Sequence, residues 1–228
     1  MKHNRIGEKI TALRATLPQG VTLIAVSKYH PAEAVQAAYD AGQRDFGESK
    51  AQDLTAKHAT LPKDINWHFI GHLQTNKVRQ VVGKVSLIHS IDSLRLLKAV
   101  SQEAAKQGIV QDVLLEVNVA MEESKSGFEV AQVLPLLEHI GEYPNIFVRG
   151  LMAIPPISKK IGDNRKFFQE ILQLSVDISE KKYDNVAVEC LSMGMSDDFE
   201  DAICCGSTMI RIGTAIFGAR DYTKLHQK

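Results

Sequence analysis

Val21-Thr-Leu-Ile-Ala-Val-Ser-Lys-Tyr-His-Pro-Ala-Glu-Ala-Val-Gln-Ala-Ala-Tyr-Asp-Ala-Gly42 decides the fold class. Its first eight residues form a short, apolar, β-branched run of the kind that fills a buried strand. Helix-period spacing takes over across 31–41, with Pro31 near the start and Gly42 just past the end, where those two residues favour helix termini. A strand followed at once by a helix is one βα unit. Further apolar runs near 44–48, 67–70, 87–90, 113–119, 147–152, 188–192 and 209–212 repeat the pattern and bring the predicted strands to eight. Alternating strands and helices predict a parallel sheet, and eight such units in 228 residues predict an α/β TIM-type (β/α)8 barrel, one domain over 1–228. Ahead of the first strand, Ile6, Ile10, Leu13 and Leu17 recur among charges, so residues 1–17 predict an extra amphipathic N-terminal helix rather than a signal peptide. Asp92, before Leu94, Leu97 and Val100, is the predicted cap of another helix.

Composition narrows the function classes. Twenty-seven Lys plus Arg balance 27 Asp plus Glu, which gives none of the basic excess that binds nucleic acid through its phosphates. No apolar run reaches membrane-spanning length. Three cysteines without paired spacing point to a reducing compartment, and the expected address is the cytoplasm. Cys190, Cys204 and Cys205 read as core residues rather than nucleophiles, since no histidine accompanies them in a motif. His68 and His72, four residues apart on a strand, would stand about 13 Å from each other, too far to share a metal. Lys77, Arg79 and Lys84 read as a solvated basic face. The stretch 155–164 holds two prolines, paired lysines and a glycine, and predicts a long loop after the sixth strand, placed to act as a flap.

In a barrel of this kind the working residues stand at the C-terminal ends of strands, and the loops after strands seven and eight often hold a phosphate. The polar residues at predicted strand ends are Lys28, Glu48, His72, Ser90, Asn118, the Ser192–Ser196 loop, Arg211, Gly213 and Thr214. In Leu191-Ser-Met-Gly-Met-Ser196 small residues let backbone approach an anion, and Ser196 is predicted to begin a helix whose first amides point at it. Ile212-Gly-Thr-Ala215 offers more amides and a hydroxyl. The plainer alternative, that Ser196 merely caps a helix and Gly213 merely ends a strand, stays open at this point. Lys28 closes an apolar strand. Position alone leaves it divided between an ordinary solvated lysine and one whose desolvation, beside a cation, frees a neutral amine to attack an aldehyde. Arg211 is divided in the same way, between an ion-pair residue and the partner of a ligand ring nitrogen. Lys125, after the fifth strand, reads as a loop charge within reach of a ligand oxygen.

Seven segments carry a resemblance. Ala25-Val-Ser-Lys28, Asp45-Phe-Gly-Glu48, Trp67-His-Phe-Ile-Gly-His-Leu-Gln-Thr-Asn-Lys77, Ser124-Lys-Ser-Gly127, Gly150-Leu-Met-Ala-Ile154, Leu191-Ser-Met-Gly-Met-Ser-Asp-Asp-Phe-Glu200 and Gly206-Ser-Thr-Met-Ile-Arg-Ile-Gly-Thr-Ala-Ile-Phe-Gly218 together resemble the pyridoxal phosphate homeostasis (YggS/PROSC-like) family. The match runs in order over nearly the whole chain. The family is similar in fold to the N-terminal barrel domain of alanine racemases. The resemblance implies pyridoxal 5'-phosphate as cofactor, Lys28 as its Schiff-base lysine, phosphate contacts at Ser196, Gly213 and Thr214, and Arg211 against the pyridine nitrogen. One position departs from the family pattern: Ser49 stands where an asparagine is common.

The implied role is a carrier rather than an enzyme. An arginine beside the ring nitrogen does not protonate it, which weakens the cofactor as an electron sink. Racemases of similar fold take a second base from a further domain, for which this chain shows no segment. The expected partners are the cofactor itself and apo pyridoxal-phosphate enzymes as recipients, with no nucleic acid and no membrane, and the expected state is a monomer. The rival readings are a racemase-like enzyme, a Schiff-base aldolase on the same barrel, and a regulatory module that needs a protein partner.

Overall fold

The computed structural model describes residues 2–122, 125–157, 160 and 162–218. Ser124 of the quoted motif, and Ser158, Lys159 and Ile161 of the loop at 155–164, lie outside the described residues. The elements alternate as read from the sequence: α1 (Lys2–Thr16), β1 (Thr22–Val26), α2 (Ala32–Asp40), β2 (Asp45–Glu48), α3 (Ala51–Thr60), β3 (Asn66–Phe69), α4 (Val78–Val81), β4 (Leu87–Ile91), α5 (Leu94–Gln107), β5 (Gln111–Val117), α6 (Val130–Glu138), β6 (Ile146–Ala153), α7 (Arg165–Ser179), β7 (Val186–Ser192), α8 (Phe199–Cys204), β8 (Met209–Ile212) and α9 (Thr214–Phe217). The strands pair in parallel in chain order, and β1 pairs with β8 to close the barrel. Helix α1 precedes β1 and is the extra helix. No helix among the described residues is long and apolar enough to cross a membrane.

Period-2 alternation sorts the strand residues into two layers. Leu23, Ala25, Phe46, Trp67, Phe69, Val113, Leu115, Ile210 and Ile212 face outward and pack under the helices in one large core. Leu87, Leu114 and Met152, with Cys190 and Met209 beside them, form a second cluster, the packed layer that fills the inside of such a barrel.

Several local expectations need correction. Strand β1 stops at Val26, so Lys28 stands two residues beyond it, in a turn. Pro31 is the N-cap of α2 rather than a residue of its first turn, because its ψ of 166° is extended. Ser93, not Asp92, caps α5: its hydroxyl accepts from the Leu96 amide at 3.3 Å. The Asp92 carboxylate instead takes His72 Nδ1 at 2.8 Å and the Ser93 hydroxyl at 3.0 Å. Cys205 is buried and Cys190 partly so, but Cys204 is exposed and not a core residue.

Candidate functional site

Barrel closure sets the first strand and the last, β1 and β8, side by side. On β1, Leu23 and Ala25 face the outer core, which turns Ile24 and Val26 inward; Ser27 reaches outward to Glu48, and Lys28 follows in the turn just beyond the strand. Strand β1 runs beside β8 with Ile24 opposite Arg211 and Ala25 opposite Ile212. The half-buried Lys28 therefore shares a rim with the segment after β8, where a Cβ on Gly213 would lie 3.4 Å from the Val26 carbonyl oxygen. On the other side of β8, the Arg211 amide donates to Gly194 O at 3.0 Å and the Met193 amide to Met209 O at 3.1 Å. Lys28, Arg211, Gly213, Thr214 and the loop that carries Ser196 thus lie on three adjacent strand ends.

The loop after β7 has a shape that restricts its sequence. Gly194 adopts φ +91°, and a Cβ there would come within 2.7 Å of Ala202 Cβ and 2.9 Å of Phe199 Cα. The Met195 amide donates to Asp198 Oδ1 at 2.7 Å, and the Asp198 and Phe199 amides return to Met195 O. That turn uses up residues 195–198, so α8 begins at Phe199 with Asp198 at its N-cap, and Ser196 does not start the helix as expected. Ser196 sits half-buried at the crown of the turn, while Thr214 opens α9 with its side chain exposed. The first amides of a helix lack intrahelical acceptors, but here the Phe199 amide of α8 is taken by Met195 O and the Ile216 amide of α9 by Gly213 O.

Arg211 is buried. Its Nη1 donates to Ser192 O and Ser192 Oγ, both at 2.6 Å, and its Nη2 donates to Ala153 O at 2.9 Å. These use three of the five guanidinium donors and leave Nε–H and one Nη2–H. Burial pushes its pKa down to about 10, against the opposing pull of Glu116 and Asp198. At pH 7 that still leaves the cation ahead by about a thousandfold.

Behind Arg211 runs a buried polar chain. Ser192 Oγ lies 2.9 Å from His89 Nδ1, His89 Nε2 lies 2.9 Å from His68 Nδ1, and His68 Nε2 lies 3.2 Å from Asp45 Oδ1. Arg211 only donates, so the Ser192 hydroxyl accepts from it and gives its own hydrogen to His89 Nδ1. His89 then donates from Nε2 to His68, and His68 from Nε2 to the Asp45 carboxylate. In this arrangement every hydrogen points from the cation toward the anion. Burial, then His68 and Arg211, hold the His89 pKa well below its ordinary value, so its imidazole is neutral. Glu116, on the adjoining β5, is pushed up to about 7, first by burial and then by Asp92, with Arg211 opposing.

Other candidates from the strand ends are engaged elsewhere. Glu48 faces outward and pairs with Lys57 of α3. Asn118 folds back onto its own loop through both backbone groups of Glu122. Ser90 Oγ donates to Gly71 O at 2.6 Å. Gly71 is itself a close-approach glycine, since a Cβ there would lie 2.4 Å from the carbonyl oxygen of Ser49, the residue that departs from the family pattern. Lys125 forms an ion pair with Glu122 at 2.8 Å and reaches Ile154 O at 3.4 Å. Two described residues of the stretch 155–164 contact the β7–α8 segment: Asn164 Nδ2 donates to Asp198 Oδ2 at 2.9 Å and also to Pro156 O, while the Gly162 amide donates to Asp201 Oδ2 at 2.6 Å.

Ser192 is legible as a strand-end candidate, but the local sequence does not reveal Asp45, His89 and Glu116 as site residues. Their only signal is inward alternation on β2, β4 and β5, which acquires meaning once the barrel is closed.

Comparison with known proteins agrees with the barrel fold. The profile of the family described as "Alanine racemase, N-terminal domain" matches residues 2–221. The "Pyridoxal phosphate homeostasis protein" of Aquifex aeolicus is 45% identical over 201 residues, covering 88% of this chain and 87% of the relative. Its counterpart in Escherichia coli is 40% identical over 232 residues, covering 97% of both. The solved structure of PipY from Synechococcus elongatus, with PLP bound, superimposes with a TM-score of 0.85 at 35% identity, covering 93% of this chain and 100% of that one. The alanine racemase of Streptomyces coelicolor, at 18% identity and a TM-score of 0.77, shares the fold; the match covers 95% of this chain and 58% of the racemase.

Proposed function

The chain belongs to the alanine racemase N-terminal domain family and, within it, to the pyridoxal phosphate homeostasis proteins, and from that premise we propose that it binds pyridoxal 5'-phosphate and takes part in vitamin B6 homeostasis. Lys28 holds the cofactor as a Schiff base, Ser196, Gly213 and Thr214 take its phosphate, and Arg211 faces the pyridine nitrogen. The observation that carries the reading is the adjacency of β1, β8 and β7, which brings an amine, a buried guanidinium and two small-residue loops to one mouth. That donor set fits the group: an amine for the aldehyde, amides and hydroxyls for the phosphate dianion, and unused N–H donors for a ring nitrogen.

When bound, the cofactor supplies an aldehyde and a conjugated ring able to delocalise negative charge. Arg211 sets how far that ring is used. A guanidinium that stays charged at neutral pH donates a hydrogen bond to the ring nitrogen without surrendering a proton, so the ring remains a weak electron sink. Ser192 orients the guanidinium through its carbonyl and hydroxyl, and His89, His68 and Asp45 line up behind that hydroxyl. Capture without catalytic use is the behaviour of a carrier. The reading extends to the whole chain, 1–228, as one cytoplasmic, monomeric binding domain that delivers the cofactor to apo enzymes.

Borohydride reduction of the cofactor-loaded protein, followed by mass mapping of the modified lysine, tests the attachment. Label on Lys28 is expected. Label on Lys125 alone, or on no lysine, overturns the assignment. Turnover of any amino acid at about 1 per second or faster overturns the carrier role.

A further inference from the structure

Outside the mouth, between β1, β2 and α3, lies a buried ion pair that the binding reading does not use. Glu48 has no exposed surface and Lys57 is 7% exposed. Lys57 Nζ donates to Glu48 Oε1 and, at 2.9 Å, to the carbonyl oxygen of Ser27. Ser27 Oγ donates to the same Glu48 oxygen at 2.7 Å, and the Ser27 amide donates to Gly47 O at 3.0 Å. Glu48 Oε2, buried, has no hydrogen-bond partner among the described residues.

A pair of this kind is a poor stabilising device. Both charges are desolvated, one oxygen is left without a donor, and apolar pairs of similar volume commonly do as well. What the pair supplies is geometry, and everything it grips belongs to the residue before Lys28. The peptide between Ser27 and Lys28 is planar, so fixing the Ser27 carbonyl on the outer face also fixes the Lys28 amide and Cα, which lie in the same plane. The same carbonyl accepts the His30 amide at 3.0 Å and closes a turn with Lys28 and Tyr29 at its centre. Tyr29 occupies φ +67°, a left-handed conformation that a bulky residue seldom adopts unless its surroundings impose it. The far end of the turn is held as well: the His30 ring stacks on Phe217 of α9 at 5.0 Å, and Lys50 Nζ stands 4.9 Å over the Tyr29 ring.

We infer that Glu48 and Lys57 are positioning residues that clamp the Ser27 carbonyl so that the Lys28 amine is presented to an incoming aldehyde. The inference rests on the Schiff-base reading above. The test compares full-length wild type with Lys57→Met and with the double variant Glu48→Leu/Lys57→Met, whose apolar pair keeps the volume and removes both charges. Two quantities are read for each protein. One is the rate at which the visible absorbance of the lysine imine grows after apo protein is mixed with pyridoxal 5'-phosphate. The other is the affinity for pyridoxine 5'-phosphate, which offers ring and phosphate but no aldehyde.

Imine formation in the double variant is expected to slow by about tenfold or more, with pyridoxine 5'-phosphate affinity unchanged. An unchanged rate in the folded double variant overturns the positioning role. A fall in rate matched by an equal fall in affinity also overturns it, since that reports general damage to the mouth. Wild type that forms no imine, or forms it elsewhere than Lys28, refutes the Schiff-base reading and the positioning role with it.

Discussion

On the proposed reading Lys28 and Ser196 act on different parts of the same ligand, so their removal separates two kinds of loss. Lys28→Ala is expected to abolish the visible imine band while pyridoxine 5'-phosphate still binds by its phosphate, as equilibrium dialysis would report. Loss of both together would mean that the lysine supports the pocket rather than the bond. Ser196→Ala removes a hydroxyl that donates to a charged oxygen, an interaction of about 1.5–3 kcal/mol, and affinity should fall roughly ten- to a hundredfold while imine formation persists. Equal affinity in mutant and wild type would refute its phosphate contact. Glu116 has a pH signature of its own in the apo protein. Its folded pKa of about 7 lies above the ordinary 4.5, so its contribution to stability is complete below 4.5 and is lost as pH rises through 7. Between pH 4.5 and 7.5 wild type should lose on the order of 3 kcal/mol relative to Glu116→Gln. His89, with its lowered pKa, works in the opposite direction below about 6.5 and is common to both proteins. Parallel urea-denaturation profiles for the two proteins would rule out a buried, titrating Glu116.

Elements were legible wherever local chemistry decides them. The apolar run at 21–28 and the Pro31–Gly42 punctuation place β1 and α2 because backbone propensity and turn chemistry are short-range. The errors fell at element ends, where a neighbouring side chain chooses between two caps. Asp92 and Ser93 are both good caps in isolation, and Asp92 lost because His72, from the β3–β4 connection, occupies its carboxylate. Ser93→Ala should therefore lower stability by about 1 kcal/mol, and Asp92→Ala should leave α5 with its cap; chemical denaturation with far-UV dichroism distinguishes the two. Ser196 was displaced from the start of α8 by the Asp198 carboxylate, which closes a turn on Met195 before the helix begins.

At the scale of the whole molecule, the site exists because the barrel closes. The exposed large apolar residues among those described, Leu94, Val110, Met121, Ile157, Leu172 and Val176, come from separate segments apart from the last two on α7. Scattered apolar residues of this kind are ordinary on a monomer surface. Sedimentation equilibrium is expected to return a single species near the chain mass of 25.2 kDa, and a species of twice that mass would refute the monomer. The sequence by itself determined the eight βα units and the extra helix, and its ordered motifs carry the proposal that Lys28, Ser196, Arg211, Gly213 and Thr214 form one site. Those features depend on local propensity and on motifs whose residues are neighbours in the chain. Only the tertiary structure decided that Glu48 turns outward to Lys57 while Asp45, three residues earlier on the same strand, joins His68, His89 and Ser192 behind Arg211. Strand register and closure set those partners, because an inward side chain has no identity as a ligand or a relay until a strand from a distant part of the chain lies beside it.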